Sequence, residues 1–167
     1  MEYKVSIDPG TNATGVCVWE DGKIVDGGLI TIRPKDSAGT FLEKCLSIVR
    51  SFTAVCECIF QGEINCLALE EFETHNRSDD EAGVLKAKMS MIKCATIRGA
   101  LIGSSVSFCK EIRLVSKRQI SKADTKLLAK SYGLVVNEKG EHKKGACSKD
   151  ALDAFQIGIC AGFDKRS

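Results

Sequence analysis

What the sequence is short of narrows it first. No stretch approaches the ~18 consecutive apolar residues of a spanning helix. The opening MEYKVSID has no basic segment followed by an apolar one, so neither a membrane span nor a secretory leader is expected. The histidines are two, His75 and His142, and the nine cysteines include no C-x-x-C pair. Cys56-x-Cys58 comes nearest to a zinc pattern, at poor spacing from either histidine. An odd, scattered set of cysteines, mostly inside apolar runs, reads as buried free thiols of a reducing compartment rather than a disulfide framework. Prolines number two, and neither an internal repeat nor a low-complexity linker divides the chain. The expectation is a soluble cytoplasmic protein with no membrane partner.

What is present is ordinary in amount and uneven in distribution. With 167 residues, 44% hydrophobic and 28% charged, one domain spanning residues 1–167 is expected. Such a domain buries roughly 70% of the unfolded surface and needs no staple. The net charge of +2 conceals a segregation: residues 1–85 carry net −8, residues 86–149 carry net +11, and residues 150–167 carry −1. Lysines on one face could simply solvate helices. Over a whole segment, +11 points to a polyanion, because neutralising phosphates releases counterions.

Short β-rich runs at Tyr3–Ile7, Thr14–Trp19 and Ile24–Ile32, with Asp21-Gly22 between the last two, predict three antiparallel strands joined by a tight hairpin. Gly27-Gly28 marks a bulge or a close backbone approach in the third. Apolar residues at spacings of three and four predict helices over Ala38–Ile59 and Asp79–Gly103, the second with a core stripe of Leu85, Met89, Ile92, Ala95 and Ile102. Cys66–Leu69 reads as a strand buried on both faces. Val106–Cys109 predicts a fifth strand, Ala123–Tyr132 a helix, Asn137–Gly145 a polar loop, and Ser148 the cap of a last helix ending near Gly162. The order predicts an α/β fold with a mixed five-stranded sheet flanked by helices.

Three acidic features stand out. Asp8 ends the first strand, where open sheets place ligands, although Asp8-Pro9-Gly10 is also good turn chemistry. Glu70-Glu71 follows a buried strand with no turn residue between, so at least one carboxylate lies at its rim. Asp150 and Asp153, at i and i+3, share one face of the last helix, where a helix dipole alone would also favour them. Taken together, converging carboxylates need a cation, and oxygen-only ligands select Mg²⁺ or Mn²⁺. Two such ions support in-line phosphodiester displacement.

Three segments carry a family resemblance: Ile7-Asp8-Pro9-Gly10-Thr11-Asn12-Ala13-Thr14-Gly15, Leu67-Ala68-Leu69-Glu70-Glu71-Phe72 and Asp150-Ala151-Leu152-Asp153-Ala154. They resemble the RuvC-type Holliday junction resolvases of the ribonuclease H-like superfamily over nearly the whole chain. The short, lysine- and cysteine-rich form looks more like phage-encoded members. The resemblance implies catalytic, metal-binding Asp8, Glu70, Asp150 and Asp153, two Mg²⁺ per site with Mn²⁺ able to substitute, a homodimer, and symmetric incision of four-way DNA junctions. It also selects Glu70 over Glu71. Lys122 matches the family's catalytic-site lysine, although Ser116–Lys122 replaces the Gly-rich stretch usual there. The family's base-contacting aromatic is displaced to Phe72. Expected phosphate contacts are Lys86, Lys93, Lys117, Arg118, Lys122, Lys143 and Lys144.

Asp8-Pro9-Gly10-Thr11 also resembles the phosphate motif of actin-like kinases, but 167 residues leave no room for a second ATP-closing domain, so no nucleotide cofactor is expected. The sequence is also compatible with a related nuclease acting on RNA or on flap and other branched DNA, and with a non-catalytic DNA-binding protein.

Overall fold

The computed structural model describes residues 1–35, 39–60, 63–71, 81–122, 125–134 and 147–164. Tyr3–Asp8 (β1), Thr14–Glu20 (β2) and Lys23–Ile32 (β3) form an antiparallel meander. The β2–β3 hairpin turns on Asp21 and Gly22 at φ 48° and 85°, the two left-handed residues of a type I′ turn. Farther along, the β2–β3 register slips between Cys17 and Trp19, which is the bulge expected from Gly27-Gly28.

Phe41–Phe60 (α1) crosses one face of the sheet. A reciprocal capping box starts it: the Glu43 N–H donates to Thr40 Oγ1 at 3.2 Å and the Thr40 N–H to Glu43 Oε2 at 2.8 Å. Ile64–Glu70 (β4) then enters beside β1 in parallel. Glu81–Ser105 (α2) returns over the same face as α1, and Cys109–Val115 (β5) pairs parallel with β4. The strand order is β3-β2-β1-β4-β5, three antiparallel strands continued by parallel ones, as expected. Lys117–Lys122 (α3), Thr125–Ser131 (α4) and Lys149–Cys160 (α5) follow.

Alternation along the strands builds two cores. Val5, Ile7, Leu67 and Leu69 pack with Ile48 and Phe52 of α1 and Ile97 and Leu101 of α2. Cys17, Trp19, Cys66 and Ala68 pack with Ala154, Phe155 and Ile157 of α5. Trp19 stacks on Phe155 with ring centroids 5.8 Å apart, and its Nε1 donates to Ser6 Oγ at 3.1 Å inside the sheet. Cys66 to Leu69 are all buried, as a strand covered on both faces must be. All nine cysteines are free thiols.

Three expectations are corrected. The fifth strand is Cys109–Val115 rather than Val106–Cys109. It is an edge strand whose Lys110, Glu111 and Arg113 reach solvent, and such charges protect an edge while hiding the strand from a search for apolar runs. The helix expected at Ala123–Tyr132 is preceded by a separate α3, started by Ser116: the Ser116 N–H donates to Gln119 Oε1 at 3.1 Å and the Gln119 N–H to Ser116 Oγ at 3.3 Å. Of the expected stripe, Leu85, Met89, Ile92 and Ala95 are not core, the first three being 64%, 48% and 58% exposed, while Ile102 packs against the core. At 25 residues, α2 is ~37 Å long, whereas seven-residue β4 spans ~23 Å, so the helix outruns the sheet. The loop expected at Asn137–Gly145 lies outside the described residues.

Candidate active site

One row of residues crosses the sheet at a single edge. Thr31 pairs with Gly15 and Gly15 with Asp8. Ile7 pairs with Leu69, which leaves Asp8 and Glu70 side by side at the ends of β1 and β4, and Glu70 pairs with Val115. Neighbouring strands are ~4.8 Å apart. Ser6 and Ala68 face α5, so Asp8 and Glu70, two residues farther along their strands, emerge on that same face. Glu71 lies one residue past β4 and is exposed, its N–H donating to the Val115 carbonyl at 2.6 Å. Alternation thus puts Glu70, and not Glu71, on the face of Asp8.

The first turn of α5 is pressed onto this row. Ser148 caps the helix, its Oγ accepting from the Ala151 N–H at 3.1 Å, and the same oxygen shares a hydrogen bond with Thr31 Oγ1. A Cβ on Gly15 would lie 1.8 Å from the Asp150 carbonyl oxygen. Only glycine permits that approach. At the far end of the helix, Arg113 Nη1 donates to the Ala161 carbonyl at 2.6 Å. Held at both ends, α5 keeps Asp150 and Asp153 near enough for their charges to act on Asp8.

Asp8 feels the other three carboxylates. Asp8 is pushed up to about 7, first by burial and then by the charges of Asp153, Glu70 and Asp150, with Lys149 pulling it back. Asp153 is raised by burial and by Asp150, again opposed by Lys149. Among the described residues, no three His, Cys, Asp or Glu side chains form a ready-made ion-binding group.

Helix α2 meets the site from the other side. Arg98 Nη1 donates to the Glu70 main-chain carbonyl, and the half-buried Cys94 thiol, one turn earlier, is raised by burial and by the charge of Asp8. Lys93 lies over the Phe41 ring, 5.8 Å from its centroid. The helix is therefore level with the strand ends at residues 94–98, and its N-terminal part overhangs them.

Of the expected DNA contacts, Lys86 and Lys93 are exposed on that overhang and Arg118 is exposed on α3, which starts directly after β5 reaches the same edge. Lys117 and Lys122 belong to α3, with side chains outside the described set; Phe72, Lys143 and Lys144 lie outside the described residues altogether, as do His75 and His142. Three residues at the site had not been singled out from the sequence. Gly15 closed a recognised motif but gave no sign that a helix would rest on it. Lys149 was legible as the neighbour of Asp150. Arg98, 28 residues from Glu70, left no local signal.

No protein-family model matches the sequence, and no curated protein sequence matches it. Solved structures do. Thermus thermophilus RuvC in complex with a Holliday junction substrate aligns with a TM-score of 0.67 at 16% identity, over 98% of this chain and 94% of that one. A second structure of Thermus thermophilus RuvC gives 0.62 at 14% identity, over 96% and 93%. The fowlpox virus Holliday junction resolvase aligns at 0.49 and 11% identity, over 95% and 97%. The fold is the ribonuclease H-like fold of RuvC.

Proposed function

We propose that the protein is a Mg²⁺-dependent endonuclease that resolves four-way DNA junctions by paired, symmetric phosphodiester incisions. The observation that carries this reading is the meeting of Asp8, Glu70, Asp150 and Asp153 at one sheet edge, in the fold of a protein whose solved structure holds a Holliday junction. The donor set suits a hard divalent cation: all four groups offer oxygen, and in Asp8 burial and three neighbouring negative charges oppose ionisation so strongly that a countercharge is called for. Asp8, Glu70, Asp150 and Asp153 would hold two Mg²⁺, with Mn²⁺ able to substitute. The ions would supply an activated water and neutralise charge on the leaving oxygen.

The protein's own part is placement. β1 and β4 set two carboxylates a strand apart, and α5 carries two more against the same edge through the Gly15 contact. Arg98 fastens the end of β4 to α2. Lys86, Lys93 and Arg118 are exposed on α2 and α3, and they are assigned to phosphates of an approaching strand. Phe72, Lys117, Lys122, Lys143 and Lys144 complete the proposed DNA-binding set on sequence grounds, with Lys122 proposed as a catalytic-site lysine.

Two equivalent scissile phosphates in a junction call for two equivalent sites, which an isologous dimer provides. The exposed apolar stripe of Leu85, Met89 and Ile92 supports a partner copy on the overhanging part of α2.

The reading is tested by incubating the protein with labelled four-way junction, flap, duplex and single-stranded DNA and with RNA, in Mg²⁺ and in EDTA. Paired nicks in the junction that require Mg²⁺ are expected. Preference for RNA or flaps would move the activity to the related nucleases, and no cleavage of any substrate would overturn it.

A further inference from the structure

Lys149 is out of place by the ordinary rules of helices. It is the first residue of α5, and a cation in the first turn opposes the helix dipole, which favours anions there. Its side chain is exposed and, among the described residues, forms no ion pair, so no local bond compensates the position. Its helix neighbour at i+4 is Asp153, and its chain neighbour is Asp150, whose carbonyl rests against Gly15. One helical turn of α5 thus carries Lys149, Asp150 and Asp153 together. A solvent-facing cation therefore stands on the same capped turn as Asp150.

We propose that Lys149 binds a phosphate of the strand that lies on the carboxylates, so that the N-terminal turn of α5 carries both the acids of the site and the cation that seats the DNA against them. Ser148 fixes the turn through its cap and its bond to Thr31, and Lys149 follows it directly, so the anchor of the ammonium is the anchor of Asp150. A long, flexible ammonium suits this role, because it meets a phosphate as a point charge and offsets the repulsion that clustered acids exert on a polyanion. The inference rests on the nuclease reading for its substrate, and it assigns to α5 a role that the resemblance gave to Lys122.

The test compares the full-length protein with its Lys149→Ala, Lys149→Arg and Lys110→Ala variants on a labelled four-way junction. Lys110 pairs with Glu63 at 2.9 Å at the start of β5, the opposite end of that strand from the site, and serves as the control. Junction binding without Mg²⁺ is followed across salt concentration, and single-turnover cleavage with Mg²⁺. Lys149→Ala is expected to lower the slope of log affinity against log salt by about 1 and to slow cleavage at saturating protein by about tenfold or more. Lys149→Arg should restore most of both, and Lys110→Ala should change neither. Wild-type salt slope and cleavage in Lys149→Ala would overturn the inference while leaving the nuclease reading standing. If the wild type binds junctions but cuts nothing, that reading fails, and the salt slope alone still decides whether Lys149 holds a phosphate.

Discussion

Asp8 makes stability depend on pH. Its carboxyl titrates near 7 in the fold against 3.8 as the ordinary value, so between those limits the folded chain keeps a proton that the unfolded chain releases. Stability from this group is therefore greatest below about pH 4 and is lost as pH rises to about 7, on the order of 4 kcal/mol in all. Asp8→Asn should abolish that loss. Urea unfolding in EDTA is expected to show the variant more stable than wild type by a few kcal/mol at pH 8 and little different at pH 4. An equal difference at both values would mean that Asp8 is not held protonated. Gly15 makes a second prediction. An alanine there would place its Cβ inside the Asp150 carbonyl, so the first turn of α5 must move outward. Gly15→Ala should cost ~1–3 kcal/mol of stability and slow junction cleavage by about a hundredfold, because displacement of about 1 Å is enough to misalign a reacting group. Thermal melting and single-turnover cleavage measure the two effects.

Helix α2 serves two neighbours at once, closing one core through Ile97 and Leu101 and holding the Glu70 carbonyl through Arg98. Arg98→Ala should lower the cleavage rate by about tenfold with junction affinity nearly unchanged, and Arg98→Lys should recover part of it; a fall in affinity at an unchanged rate would make Arg98 a DNA contact instead. The strands and helices were largely legible because their apolar periods are regular: β1, β2, β4 and α5 lie where the pattern puts them. The legibility failed where tertiary context overrides local pattern. β5 carries charges because it is an edge; α2 carries exposed leucine, methionine and isoleucine because it outruns the sheet. The Ser116-x-x-Gln119 box was readable and marks the start of α3. At the candidate site, Asp8, the Glu70-Glu71 pair, Asp150 and Asp153 could be named from strand ends and helix spacing. The choice of Glu70 over Glu71 needed either the family resemblance or the alternation of β4. Arg98 joins the site only through folding, so no reading of a single stretch would find it.

Across the whole molecule, the four carboxylates proposed for the site lie at one sheet edge, and the segment of net +11 supplies the helices that overhang and follow it. A homodimer built on the exposed stripe of α2 would present two such edges to one junction. Leu85→Glu combined with Met89→Glu is expected to halve the mass seen by sedimentation and to uncouple the two incisions, leaving singly nicked junctions as the main product. A wild-type chain that is monomeric and still cuts both strands together would remove the dimer from the account. The four carboxylates carry the central claim. The most direct measurement is single-turnover cleavage of a four-way junction in Mg²⁺ by wild type, Asp153→Asn and Glu71→Gln, with binding followed in parallel. Asp153→Asn keeps the size of the side chain and removes one charge from the set, so cleavage should fall by several orders of magnitude while junction binding persists or tightens, and Glu71→Gln should cut at close to the wild-type rate. Cleavage by Asp153→Asn at the wild-type rate would contradict the account, leaving the acids of α5 as a favourable helix start and nothing more.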